Sequence, residues 1–583
     1  MIMDNRSYKG LKMLNVENAI QEKFPTFETR SPWIKRPTLG LLRKLTHEND
    51  VNKFLDEHQD LTGFDFVEQV LNFFSFSYSI SHRDRQNIPA TGRVVIVANH
   101  PLGALDGLAL LRLVGEVRRD VKIVVNDMLM SFKAIDGLLL PVDNLSKSTR
   151  KSSVESILGC LRNDEAVIVF PAGEVSRMRP NGVQDSKWSN GFLSFAKKTN
   201  SPILPMFVNA KNSSLFYSTS LVNKPLAGML LAHEMFNKKS KTISIHVGEP
   251  IPYQQIEALP LIKKEKVKLI RRHLYRIAKG KSSLFITEKT VAHPAGRREI
   301  KKELKQAEYL SETKDGMKIY LFNHQPDSAV MHEIGRLREV TFRQVGEGTG
   351  NHRDLDKYDR DYRHLILWDE HELEIAGAYR LGEVKRLFEK KDSRGIYSQE
   401  LFNYDTDKMA PFFEQGIELG RSFVSPKYWG KRSLDYLWYG IGAYLQHYPE
   451  IRYLFGPVSL SNNYPNLAKA LIVGFYQHYF PDDESLAVAR TPYHLTDDET
   501  EVVNRTVTGV DYADDFRVMR EQLAQMNVTV PTLYKQYSDL CDAGGVRFID
   551  FNIDADFGHC IDGLVMVDLQ QLKPAKCKRY LAR

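Results

Sequence analysis

Only four cysteines occur in 583 residues, at positions 160, 541, 560 and 577, and no two are spaced as a metal knuckle or redox pair. Their scarcity excludes a disulfide-stapled secreted scaffold and sets the expectation of free thiols in a reducing, cytoplasmic setting. His, Cys, Asp and Glu show no metal-ligand spacing, so no metal is expected. No run of about 18 uncharged apolar residues occurs, which excludes a spanning helix. The segment Met1-Ile-Met-Asp-Asn-Arg-Ser7 has no apolar signal core. The expectation is a cytoplasmic protein, peripheral on the inner face of the cell membrane. Neither sign of charge dominates: 80 Lys and Arg stand against 73 Asp and Glu, a net charge of +7. This mild excess suits an anionic lipid surface or an acidic partner, and without a recognition motif it gives no support to nucleic-acid binding.

What is present is ordinary globular composition, 42% apolar and 26% charged, in a chain too long for one core. Two or more domains are expected. The most informative stretch is Val94-Val-Ile-Val-Ala-Asn-His-Pro-Leu-Gly-Ala-Leu-Asp106-Gly107. The β-branched run reads as a buried strand, Pro101 stops it, and Leu105 to Val114 reads as a helix. His100 and Asp106 thus sit at a strand-to-helix turn, where a general base and its orienting carboxylate can be held on rigid elements. A second buried strand ends in Phe170-Pro171-Ala172-Gly173-Glu174-Val175-Ser176-Arg177, and a third, Ile203 to Val208, contains a proline.

This order of motifs, over roughly residues 70–255, resembles the PlsC-like glycerophospholipid acyltransferases. The resemblance implies that His100 deprotonates a hydroxyl acceptor, that Asp106 fixes the imidazole, and that Asn99, Gly173, Glu174 and Arg177 belong to the acceptor site. Two departures stand out. Five residues separate His100 from Asp106 where the family has four, and the acidic residue of the second motif is displaced to Glu174. The changed motif points to a hydroxyl acceptor other than glycerol phosphate.

Along the chain, residues 1–60 read as an N-terminal helical extension and 61–255 as the O-acyltransferase domain. The aromatic segment 61–80 is either a core helix or a membrane-interfacial one. Strands are expected at Arg93–Ala98, Val121–Val125, Leu138–Val142, Ala166–Phe170, Ile203–Val208 and Thr242–Val247. Helices lie between them, as at Ser148–Arg162 and Asn190–Lys198, so an α/β domain with a largely parallel sheet is expected. Residues 256–314 read as a basic helical connector, in which Lys263, Lys264, Lys266, Lys268, Arg271, Arg272 and Arg276 crowd together. That run is either a solvated face or a contact with anionic headgroups or an acidic carrier.

From 315 to 583 strands and helices give a mixed sheet with helices packed on it. Leu337-Arg338, Phe342, Asp356, Asp359, Tyr379-Arg380-Leu381, Glu418-Leu-Gly-Arg421-Ser-Phe423 and Asp554-Ala-Asp-Phe557 resemble the acyl-homoserine-lactone synthases and, more closely, the ornithine N-acyltransferases of the GNAT-like fold. Amide formation from a thioester needs a neutral amine, a polarised carbonyl and an escorted thiol. The strand Glu418–Val424 is expected to offer a backbone N–H to the thioester oxygen. Glu418 is the candidate proton acceptor. Arg338, Asp356, Asp359, Arg380 and Arg421 are candidates for holding the substrate, the arginines because guanidinium matches carboxylate and phosphate. Lys427, Gly430, Lys431 and Arg432 precede a helix N-terminus, a natural phosphate site for a carrier-bound arm.

Together the two resemblances imply a bifunctional ornithine lipid synthase. Its C-terminal domain would place a 3-hydroxyacyl chain from acyl-carrier protein on ornithine. Its N-terminal domain would then acylate the new hydroxyl of lyso-ornithine lipid. Glycine, serine, lysine or glutamine as the amino acid, or a soluble acyl-amino-acid signal as the product, are the alternatives. No permanently bound cofactor is expected.

Overall fold

In the first unit, side chains alternate along each central strand between two apolar layers. Val94, Ile96 and Ala98 enter one layer with Ala166 and Ile168, and Val95, Val97, Val167 and Val169 enter the other. A strand covered on both faces reads as a continuous β-branched run, and this one does. The computed structural model describes residues 15–17, 32–126, 133–142, 147–180, 182–222 and 224–581 and divides into two units, Met1–His293 and Pro294–Arg583.

The first unit is built on β1 (Ser77–Ser79), β2 (Val94–Ala98), β3 (Val121–Asn126), β4 (Leu139–Val142), β5 (Ala166–Val169), a small hairpin of β6 (Arg177–Arg179) and β7 (Gly182–Gln184), β8 (Ile203–Asn209) and β9 (Thr242–Val247). The main sheet runs β1-β9-β8-β2-β5-β3-β4, parallel throughout except for β8 against β9. Helices Gly63–Phe73 and Ala104–Gly115 cover one face. Phe66, Val67 and Leu71 of the aromatic segment are buried there, so it is a core helix, ending at Phe73. Helices Pro32–Thr46 and Glu48–Glu57 precede it. The rest of the expected extension, 1–14 and 18–31, lies outside the described residues.

The expected connector is not a free-standing segment. Helix Lys263–Ile277 buries Val267, Ile270 and Leu274, at helical spacing, against the second face of the first sheet. Helix Arg297–Leu304 buries Ile300 and Leu304 in the second unit. Among the described residues no helix is long and apolar enough to cross a membrane.

The second unit is built on β10 (Glu308–Glu312), β11 (Met317–Asn323), β12 (Arg363–Asp369), β13 (Glu374–Glu383), β14 (Phe402–Tyr404), β15 (Gly416–Val424), β16 (Tyr453–Leu460), β17 (Ala487–Ala489), β18 (Val546–Asp554) and β19 (Cys560–Asp568). Its main sheet runs β10-β11-β12-β13-β15-β16-β19-β18, antiparallel except for β15 beside β16. That pair meets only at Gly416, Ile417 and Glu418, after which the strands part. Where they part, a Cβ on Gly456 would lie 2.1 Å from the Leu419 carbonyl oxygen, so the crossing requires glycine. Between Gly420 and Phe423, β15 carries one residue more than its β13 partner, and Arg421 takes a left-handed φ of 48°. This bulge reverses the alternation. Ile417 and Leu419 face helix Ser433–His447, whereas Phe423 faces helix Ala329–Val345.

Candidate active sites

In the first unit β2 delivers Asn99, His100 and Pro101 at its C-terminal end, where open α/β sheets place their ligands. Gly103, at φ 97°, turns the chain into helix Ala104–Gly115, which brings Asp106 back under the histidine. His100 Nδ1 lies 3.0 Å from Asp106 Oδ1, and Asp106 Oδ2 accepts the Leu102 backbone N–H at 2.8 Å. The fifth residue between His100 and Asp106 is therefore absorbed in the turn. Asp106 is fully buried, and His100 keeps 19% of its side chain exposed while stacking on Phe170 at 4.0 Å. Burial pushes the imidazole pKa down, but the charge and hydrogen bonding of Asp106, aided by Asp185, outweigh it and leave it raised above 6.5. With Nδ1 turned to Asp106, Nε2 is the nitrogen left for a hydroxyl proton.

Asp185 was not visible in the sequence pattern. It is buried and accepts the His100 backbone N–H at 3.2 Å, the Ser176 hydroxyl at 2.5 Å and the Trp188 indole N–H at 2.8 Å. It ties the second motif to the His100 turn. Asn99, expected in the acceptor site, instead clamps β2 to β8. Its amide donates to Val208 O at 2.9 Å and accepts from Val208 N at 2.7 Å. Gly173 turns at φ 66°, and Glu174 stays partly exposed, 3.8 Å from Arg177. Arg177 donates to Ser220 Oγ at 2.6 Å and lies over the Phe216 ring. Beside Asp185 a groove of about 910 Å³ is lined by Arg179, Lys187, Lys264, Lys268 and Arg271.

In the second unit a cavity of about 310 Å³ opens between the parted strands. Gly420 to Val424 line it from β15, Pro457 to Ser459 from β16, and Thr341, Phe342, Glu347, Tyr397, Phe557 and Asp562 are among the other lining residues. Among the described residues, the β15 edge that faces β16 has no strand partner beyond Glu418. Its backbone N–H groups are the donors such a site offers to a thioester oxygen. Arg421 borders the cavity, its guanidinium between the rings of Tyr397 at 4.8 Å and Phe557 at 4.6 Å.

The other expected substrate residues are placed differently. Arg338 donates to Asp359 at 2.7 Å, Arg380 to both oxygens of Asp356 at 2.7 Å, and Arg421 reaches Asp354 at 3.3 Å and Asp356 at 3.7 Å. These three arginines and three aspartates form one network. Arg338 and Arg380 are buried and do not line the cavity, so they brace Arg421 rather than meet a ligand there. Burial pushes Asp359 up, but Arg338 and Arg380 overcome it and hold the carboxyl far below its ordinary range.

Glu418 does not reach the cavity. It is buried, with its carboxylate accepting the Ser398 N–H at 2.8 Å, the Tyr397 N–H at 3.0 Å and the Tyr362 hydroxyl. Its expected role as proton acceptor gives way to a positioning role, because it holds the Tyr397 wall. Lys427 is tied to Glu372 at 2.7 Å and Glu374 at 2.8 Å, and Lys431 lies over the Tyr428 ring. Gly430, at φ 71°, and Arg432 lead into helix Ser433–His447, whose Leu434 lines the cavity.

Residues 19–284 match the family described as Acyltransferase, and 337–439 the Acetyltransferase (GNAT) domain. The chain is 30% identical over 305 residues to a glycine N(alpha)-acyltransferase of Bacteroides thetaiotaomicron, covering 50% of this chain and 89% of that protein. It is also 30% identical over 255 residues to a lyso-glycine lipid O-acyltransferase of the same organism, covering 42% of this chain and 92% of that protein. An L-ornithine N(alpha)-acyltransferase of Brucella abortus is 29% identical over 187 residues, covering 27% of this chain and 64% of that protein.

Proposed function

The chain belongs to the acyltransferases of amino-acid lipids and carries both N- and O-acyltransferase activity, and from that premise we propose that it makes the complete lipid in two steps, with glycine as the amino acid. The observation that carries the two-step reading is that one chain holds both a His100–Asp106 pair and a cavity between parted strands. The second unit acylates the amine with a 3-hydroxyacyl chain. The β15 edge donates to the thioester oxygen as nitrogen attacks, the C–N bond forms and the thiolate leaves. The first unit then acylates the new 3-hydroxyl. His100 Nε2 takes the hydroxyl proton as oxygen attacks a second thioester, Asp106 stabilises the imidazolium, and the proton passes to the departing sulfur.

The order follows from the acceptors. Neither glycine nor ornithine has a hydroxyl for His100 to activate before the hydroxyacyl chain is in place. Glycine is favoured because the chain spans nearly the whole length of both glycine-lipid relatives. Ornithine is the second reading, supported by the partial match to the ornithine enzyme. Acyl-carrier protein is the proposed donor. Its acidic surface suits the cation-lined groove beside Asp185. The same cations suit a membrane surface, and we place the protein peripherally on the inner face, where its lipid product belongs.

The test supplies the purified chain with 3-hydroxyacyl-carrier protein and, separately, glycine, ornithine, serine, lysine or glutamine. N-acylglycine as the main product is expected. N-acylornithine alone selects the second reading, and no N-acylated product from any amino acid overturns the proposal.

A further inference from the structure

The donors that occupy Glu418 leave the amine without the proton acceptor expected from the sequence. Two other carboxyl groups border the cavity. Helix Ala329–Val345 closes on Gly346, whose left-handed φ of 84° lets the Glu347 N–H return to Phe342 O at 2.8 Å. This capping turn fixes the backbone of Glu347 and aims its side chain at β16. There Glu347 Oε2 accepts the Ser459 hydroxyl at 2.9 Å. Ser459 is the register partner of Asp562 on β19, and antiparallel partners present their side chains on one face. Glu347, Ser459 and Asp562 therefore converge on the wall opposite the open β15 edge.

Resting on the N-acyltransferase reading above, we infer that Glu347, seated on Ser459 and beside Asp562, is the subsite for the amino acid's α-amino group and accepts its proton. The class of ligand is a primary ammonium, whose positive charge an acidic wall attracts. The ammonium gives one proton to the Glu347 carboxylate, which passes it to solvent. The neutral nitrogen then attacks the thioester carbon held at the β15 edge. The C–N bond forms, the C–S bond breaks, and the second nitrogen proton ends on the departing thiolate.

The electrostatics agree with this division. Burial raises Glu347 to about 7, against the lowering effects of the Ser459 hydrogen bond and the Arg421 charge. A base near the working pH is the most effective kind. Burial first, then the charges of Asp554 and Glu347, push Asp562 well above its ordinary range, which disfavours two negative charges on the wall. The other titratable groups that feel Glu347 are Cys560, Tyr464 and Tyr534.

The experiment measures kcat for N-acylation by the full chain, with saturating glycine or ornithine and 3-hydroxyacyl-carrier protein, across neutral pH. The wild type is expected to show an acidic limb near 7. Glu347→Gln should remove that limb and lower kcat near neutrality by about 10²- to 10⁴-fold. Ser459→Ala, which loses a hydrogen bond that lowers the pKa, should move the limb to higher pH. A Glu347→Gln enzyme that keeps the wild-type limb, with kcat within about threefold, overturns the assignment. If Glu347→Gln does not melt cooperatively, Ser459→Ala decides, and an unshifted limb overturns it. In either case wild-type N-acylation shows that only the role of Glu347 has failed. A wild type that acylates no amine removes the N-acyltransferase reading itself, and this assignment with it.

Discussion

The first unit holds its reacting group in a side chain at a motif, and the second holds its own in the course of a strand. His100 and Asp106 are six positions apart and meet because a glycine turn folds the chain back once. The cavity of the second unit exists because β15 and β16 stop pairing after Glu418 and a bulge at Arg421 redirects the strand. Its acids arrive from a helix cap and from a distant strand, with Glu347 and Ser459 112 positions apart. A motif reports the first kind of site directly. It reports the second only through the residues that support it.

The largest expected effect tests whether the buried arginines of the second unit are support. Arg380→Ala removes the nearest cation of Asp356 and one of the two arginines beside Asp359, and breaking such a buried ion pair typically costs about 3–5 kcal/mol. Thermal unfolding and N-acylation should both suffer, while O-acylation of supplied lyso-lipid continues. A stable variant with only a raised KM for the amino acid would return Arg380 to the binding site.

Next comes a stability effect of the opposite sign. The Glu347 carboxyl is held at about 7, above its ordinary 4.5. The folded state therefore binds the proton more tightly than the unfolded chain between those pH values, and stability falls as pH rises through this window. Glu347→Gln has no proton to lose, so at pH 8 it should be more stable than wild type, by up to about 3 kcal/mol. Denaturant titrations at pH 5 and pH 8 check this. An equal pH dependence in both proteins would contradict the raised pKa.

A smaller loss, about 1–3 kcal/mol, is expected for Glu418→Gln, whose amide would face backbone donors in place of an accepting oxygen. The N-acylation pH profile should keep its wild-type shape. A lost acidic limb in this variant, and not in Glu347→Gln, would reinstate Glu418 as the proton acceptor.

The smallest expected shift lies in the first unit. Asp106→Asn removes the charge that raises His100, so the acidic limb of the residual O-acylation should move to lower pH. A limb that stays in place would detach Asp106 from the titration of His100.

The contrast also explains what could be read from the chain alone. All six expected strands of the first unit are present: β2 and β5 are β-branched runs buried on both faces, and β9 alternates buried Ile243, Ile245 and Val247 with more open Thr242, Ser244 and His246. Its β1 was hidden, since the aromatics of 61–80 fit a helical stripe that stops at Phe73 before Ser77–Ser79 begins. In the second unit β18 and β19 are weakly marked in the sequence. Asp550, Asp554 and Asp562 interrupt the apolar alternation that marks a strand. His100 and Asp106 were legible at a strand-to-helix turn, and Gly173 and Arg177 only through the resemblance to the PlsC-like acyltransferases. Asp185, Asp354, Glu347 and Asp562 were not, because their partners come from other elements and no local pattern records a long-range contact.

The division of labour between the two units is tested most directly by mass-spectrometric analysis of the products of full-length His100→Ala, supplied with 3-hydroxyacyl-carrier protein and its amino acid. The account predicts that the singly acylated product accumulates at the wild-type rate and that the doubly acylated lipid is absent. Doubly acylated lipid at the wild-type level would contradict it.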